Sequence, residues 1–281
     1  MRATRFVTVL FLVLLIPAIA DAQKRTHPAN GIGNAVAAAQ ADPQGQCSVA
    51  TLKGTYGNLE QGTVLMDVFG MTAPIPFAVA GVITYDGAGN LSGIFKSSFG
   101  GFILPGNATG TYTVNPDCTY SDYIPTTQIH RKGTITGEGM LQEIQTITTD
   151  AWLMATGTKR RTPVGGCSEA ILKGTYSLFG QGLVPLQMPQ ILGAHTGLLT
   201  MDGKGMMHGE ETVNLAGSVL PPATFTGAYS VAGNCTVSVE ITSGDLILHE
   251  FGVIVGEGIH QEVRTVITDQ GWVFVDSVKR Q

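Results

Sequence analysis

The chain is written twice, and each copy carries one cysteine near its start and one in its middle. Cys47-Ser48-Val49-Ala50-Thr51-Leu52-Lys53-Gly54-Thr55-Tyr56 returns as Cys167-Ser168-Glu169-Ala170-Ile171-Leu172-Lys173-Gly174-Thr175-Tyr176. Midway, Gly110-Thr111-Tyr112-Thr113-Val114 with Asp117-Cys118-Thr119 matches Gly227-Ala228-Tyr229-Ser230-Val231 with Asn234-Cys235-Thr236. Later, Gly137-Glu138-Gly139 and Gln142-Glu143 match Gly256-Glu257-Gly258 and Gln261-Glu262. The register drifts by only a few residues, so insertions fall in loops and each copy has to build its own core.

Four cysteines allow three pairings, and duplication favours the two inside a copy, Cys47 with Cys118 and Cys167 with Cys235. There is no Cys-x-x-Cys and no histidine at ligand spacing from a cysteine, so no metal site is expected. Ahead of the copies, Arg2 and Arg5 precede an apolar run over 6–16 with small residues at Ala18, Ala20 and Ala22, the pattern of an export signal over 1–22. Residues 23–46 lack large apolar side chains and are expected to be a flexible tail. The boundaries that follow are 47–160 for the first module, 161–166 for a linker and 167–281 for the second module. The whole stretch 158–166, with Lys159, Arg160 and Arg161, reads as solvated. The implied compartment is secreted or periplasmic. No later segment offers about 20 apolar residues in a row, so no membrane span is expected.

Removing Arg2, Arg5 and Asp21 takes 16 basic residues to 14 and 21 acidic ones to 20, so the net charge goes from −5 to −6. Lysines and arginines are scattered outside the linker, and nucleic acid is not expected as a partner. Charged residues are 13% of the chain against 43% hydrophobic ones, with 37 glycines, a balance that suits many short strands joined by tight turns. Alternation is frequent and helical periodicity scarce. Asp86-Gly87-Ala88-Gly89 and Asp202-Gly203-Lys204-Gly205 read as hairpin turns. Seven to nine strands per copy give an all-β chain of two tandem small antiparallel β-barrels, with β-sandwiches as the alternative. The segment 63–80 and its counterpart 183–194 are the exception. Pro74, Pro76, Pro185 and Pro189 disfavour a central strand there, leaving an edge strand with a loop over the barrel end, or an apolar flap at a pocket mouth.

No nucleophile elbow, zinc-protease helix, phosphate loop or dinucleotide fingerprint occurs, so no cofactor is expected and the catalytic residues, if any, are unknown. Strand parity sorts the polar residues common to both copies. Gln142, Ile144 and Thr146 share one face, as do Gln261, Val263 and Thr265, and this face is expected to point inward. The other face, with Glu143 in one copy and His260, Glu262 and Arg264 in the other, belongs in water. The ligand-binding candidates are Tyr56, Tyr112, Gln142 and Thr146, with Tyr176, Tyr229, Gln261 and Thr265. An amide in an apolar layer has to find a partner, either a core group or a bound polar atom. His130 and His249 open strands and read as exposed, whereas His195, His208 and His260 stand opposite Val79, Ser92 and Leu141 of the first copy.

The Leu-Lys-Gly-Thr-Tyr opening, the Asp-Gly-x-Gly hairpin, the Gly-x-Tyr-x-Val strand before Asx-Cys-Thr and the final Thr-Asp turn resemble a recurrent β module of exported bacterial proteins without assigned function. In strand number and size the module is similar to the small calycin-like barrels, including the allene oxide cyclase and dirigent type. The likeness covers almost all of both copies. None of its motifs is catalytic, and no cyclase active-site residue matches a position here, so fold likeness carries no activity across. Three functions fit: binding of a small apolar ligand inside each barrel, a structural or protein-binding surface module whose partner is another surface protein, and a cyclase- or isomerase-like enzyme.

Overall fold

The computed structural model describes residues 47–68, 71–184 and 191–281. The expected signal at 1–22, the tail at 23–46, and Pro185 and Pro189 lie outside the described residues. The first barrel is an uninterrupted meander of β1 (Lys53–Val68), β2 (Met71–Asp86), β3 (Asn90–Phe99), β4 (Phe102–Val114), β5 (Thr119–Ile124), β6 (Ile129–Thr136), β7 (Glu143–Thr148) and β8 (Leu153–Arg161), closed by antiparallel pairing of β8 with β1. The second runs through β9 (Gly174–Val184), β10 (Ile191–Met201), β11 (Met206–Leu215), β13 (Ala223–Val231), β14 (Thr236–Ser243), β15 (Leu246–Val255), β16 (Glu262–Ile267) and β17 (Val273–Arg280). Pairing of β17 with β9 and of β10 with β11 closes it, and the two-residue β12 (Ser218–Val219) hangs on the end of β11. Closure leaves neither meander a free edge over its full length, which resolves the choice between barrel and sandwich.

Local chemistry sets the turns. Asp86 Oδ1 accepts from the N–H groups of Ala88 and Asn90, and Asp202 Oδ1 from those of Lys204 and Met206. Gly89 and Gly205, with φ of 101° and 103°, take the left-handed backbone these hairpins need. Both disulfides are present, Cys47–Cys118 and Cys167–Cys235. Each ties a short 3₁₀ turn, Val49–Leu52 or Glu169–Leu172, across one end of its barrel, with Leu52 and Leu172 plugging the core.

Three features differ from the sequence reading, each through a neighbour that local pattern does not show. Pro74 and Pro76 lie within β2, paired with Leu65 and Thr63 of β1, but β3 joins β2 only from Phe77 onward. The prolines therefore sit where one edge of β2 has no strand to receive an N–H, in a two-stranded extension at the barrel mouth. Thr158, Lys159, Arg160 and Arg161, read as solvated linker, are the end of β8, and Lys159 is fully buried in the barrel interior. Glu262 and Arg264, assigned to water, are only 5% exposed each because the first barrel covers the outer face of β16. Arg264 reaches Glu262 at 3.2 Å and Glu143 at 3.4 Å, and Arg160 lies 3.6 Å from Glu262.

The barrels meet through β1 to β3 on one side and β15 to β17 on the other. Ala78 and Ala80 pack on Val266, Val273 and Val275, and Val82 packs on Val253 and Val255. Gly57 faces this seam, and a Cβ there would lie 2.4 Å from a methyl of Val255. Among the described residues no helix is long and apolar enough to cross a membrane.

Candidate functional site

Each barrel is plugged at one end by its 3₁₀ turn and, among the described residues, holds a cavity toward the other, called here its open end. At the closed end of the first, Tyr56 donates to Gln142 Oε1, which also accepts from Arg161 Nε at 3.0 Å. The guanidinium of Arg161 lies over the Tyr56 ring, 5.1 Å from its centroid, and donates to the carbonyls of Lys53 and Thr51 at the foot of the 3₁₀ turn. The second barrel repeats this lock: Tyr176 and Arg280 donate to Gln261 Oε1 at 2.7 and 3.2 Å, and Arg280 reaches the carbonyls of Ile171 and Lys173. Burial pushes the Tyr56 hydroxyl up to about 12, so it stays a donor. Tyr112 donates to the carbonyl of Val49, and the Tyr229 hydroxyl accepts from the Gly203 N–H. Six of the eight candidates thus form the plugs of the closed ends, and none of the eight lines either of the cavities at the open ends.

Those cavities are the candidate sites. In the first barrel a cavity of about 330 Å³ is walled by Phe77, Val79, Phe95, Phe99, Ile129 and Leu153, with Glu60, Arg131 and Asn58 among its lining. Arg131 clasps Glu60 with two hydrogen bonds, at 2.9 and 3.3 Å, and reaches Asp122 at 3.4 Å. Behind them, Lys159 Nζ lies 3.9 Å from Asp122 and donates to Thr146 at 3.2 Å, while Tyr120 donates to Asp122 and shares a hydrogen bond with Tyr85. Burial lowers the Lys159 ammonium to about 8, against the pull of Asp122. Asn58, 4% exposed, leaves its Oδ1 without a donor.

In the second barrel a cavity of about 280 Å³ is walled by Leu178, Val184, Phe225, Leu248, Ile267 and Phe274, with His195, Glu211 and Glu250 among its lining. His195 bridges two carboxylates, Nδ1 to Glu211 and Nε2 to Asp276 at 2.5 Å. Burial alone would lower the imidazole, but the hydrogen bonds to Asp276 and Glu211 override it and hold it up at about 10. Glu250 accepts from Thr265 at 2.8 Å, and burial together with the neighbouring Asp276 raises its carboxyl well above the usual range. Thr146 and Thr265 are therefore the two candidates that touch the charged floors.

The floors differ by an exchange of side chains at corresponding positions. Glu60 of β1 stands where β9 has Gly180, Gly157 of β8 where β17 has Asp276, and Val79 of β2 where β10 has His195. Gly180 is required there: a Cβ would come within 1.8 Å of Asp276 Oδ1 and 2.1 Å of His195 Nε2. Sequence reasoning found His195 as a second-copy histidine but missed Glu60, Arg131, Lys159, Glu211, Glu250 and Asp276. The compensating exchange of Glu60 for Gly180 and Gly157 for Asp276 was the available signal. His130 and His249 are about half exposed, each with Nδ1 2.9 Å from an aspartate, Asp150 or Asp269.

Comparison with protein-family models and with curated proteins finds no match for this chain.

Proposed function

We propose that this is an exported protein, of the plan of the small calycin-like barrels, whose two barrels each hold a small apolar ligand in the cup at the open end. The observation that supports this is the chemistry of the cavities: apolar and aromatic walls with charged groups gathered on the floor, the usual make-up of a small-molecule site. The orphaned Asn58 Oδ1 adds a place for a ligand hydroxyl or N–H in the first cup. Disulfides in both barrels suit an oxidising compartment.

The ligand sits above Glu60 and Arg131 in one cup and above His195, Glu211 and Glu250 in the other, at the far end from the glutamine locks. Titration with a neutral apolar dye tests this. Two dyes should bind per chain, Val79→Trp should remove one and Val213→Trp the other, and native mass spectrometry of protein from its own host should show co-purifying mass in the same two places. A dye that binds neither cup, or binds both variants as it binds the parent, overturns the reading.

A surface module is the second reading, favoured by a groove between the barrels whose lining includes Ile147, Met154 and Leu192, 56%, 61% and 72% exposed. The enzyme reading draws less support, because His195 spends both ring nitrogens on carboxylates and has none left to act as a base.

A further inference from the structure

The two cups have floors of different charge. In the first, two carboxylates, Glu60 and Asp122, face two cations, Arg131 and Lys159. In the second, Glu211 from β11, Glu250 from β15 and Asp276 from β17 face one imidazole, His195 from β10, with Thr265 from β16 and Gly180 from β9 adding no charge. With every group ionised the first floor is neutral and the second carries two negative charges in excess. Asp276 is 1% exposed on the inward side of β17, where its nearest carboxyl neighbour is Glu250.

We propose that the second cup selects a protonated apolar amine, whose ammonium completes the floor formed by Glu211, Glu250 and Asp276 around His195, while the first cup has no such preference. This rests on the cup reading above and deepens it for one barrel. Burial and the repulsion of Asp276 keep a proton on Glu250, which removes one of the two excess charges at neutral pH and leaves one for a monovalent cation to balance. An anionic ligand would add a further like charge in a water-poor site, and a neutral one would leave the excess charge uncompensated. The apolar walls require that the rest of the ligand be hydrocarbon.

The test compares hexylamine, hexanol and hexanoate at pH 7 by calorimetry. In the Val79→Trp protein, where only the second cup is open, the amine should bind at least tenfold more tightly than the alcohol, and hexanoate should be weakest. In the Val213→Trp protein, where only the first is open, amine and alcohol should agree within about threefold. Glu211→Gln, which removes the remaining excess charge, should bring the second-cup ratio close to one. Equal binding of amine and alcohol in the second cup, or preference for hexanoate, overturns this inference and leaves the cup reading standing. Absence of binding by all three compounds in both proteins overturns both.

Discussion

Gln142 and Gln261 are the residues on which the closed ends turn. Each Oε1 takes one hydrogen bond from a tyrosine and one from an arginine, and each is buried within the barrel wall. Leucine fits the apolar layer but offers no acceptor, so Tyr56 with Arg161, or Tyr176 with Arg280, would lose a buried partner. An unsatisfied buried donor costs about 1–3 kcal/mol. Urea unfolding of Gln142→Leu and Gln261→Leu should show losses of that order, while dye affinity stays at the parental value because the cups lie at the other end of each barrel. Unchanged stability with lost affinity would instead place the ligand at the glutamines. Parity made this layer legible: Gln142, Ile144 and Thr146 do face inward, but sequence alone does not tell a lock from a ligand site.

At the scale of the strand, β10 and β15 make the second barrel sensitive to pH. His195 is held at about 10 against an ordinary 6.5, so its stabilisation is fully present below pH 6.5 and is lost as pH rises through 10. Glu250 is held up at about 8 against 4.5, so the unfolded chain releases that proton first and stability falls between pH 4.5 and 8. Lys159 on β8 runs the other way: lowered to about 8 from 10.5, it lets stability recover as pH rises between those values. Unfolding free energy should therefore decline from pH 5 to 8, and Glu250→Gln, which cannot titrate, should flatten that decline without removing the His195 contribution above it. A parental slope surviving intact in Glu250→Gln would show that another group carries it. The strands themselves were legible from alternation and turn residues, as at Asp86 and Asp202. The floors were not, because His195 opposite Val79 looks like a lone histidine until closure of the barrel brings β17 and its Asp276 beside it. Lys159 in a Lys-Arg-Arg run looks like solvent-exposed linker for the same reason.

On the scale of the whole molecule, the seam between the barrels is a buried apolar contact in its own right. All six residues of β16 are buried, alternate ones by its own barrel and the rest by the first barrel. Alternation along one strand reports only one of these faces, which is why Glu262 and Arg264 could not be placed from sequence. Across the seam, Val253 and Val255 meet Val82 and the bare backbone of Gly57, Lys96 lies over the Phe251 ring at 4.8 Å, and the N–H of Gly271 donates to the Gly101 carbonyl at 2.8 Å. Burying a valine side chain contributes about 1.5–3 kcal/mol, so this many aliphatic contacts should couple the unfolding of one barrel to that of the other. The chain has one tryptophan in each barrel, Trp152 and Trp272. Trp272→Phe and Trp152→Phe therefore give two proteins that each report a single barrel, and their urea transitions should coincide. Val253→Asp with Val255→Asp sets two carboxylates against Val82 and Gly57 without substituting a residue of either cup or either lock, and in that background the two transitions should separate. Transitions that are already separate in the parent would mean that the barrels unfold as independent units and that the seam adds little to the stability of either.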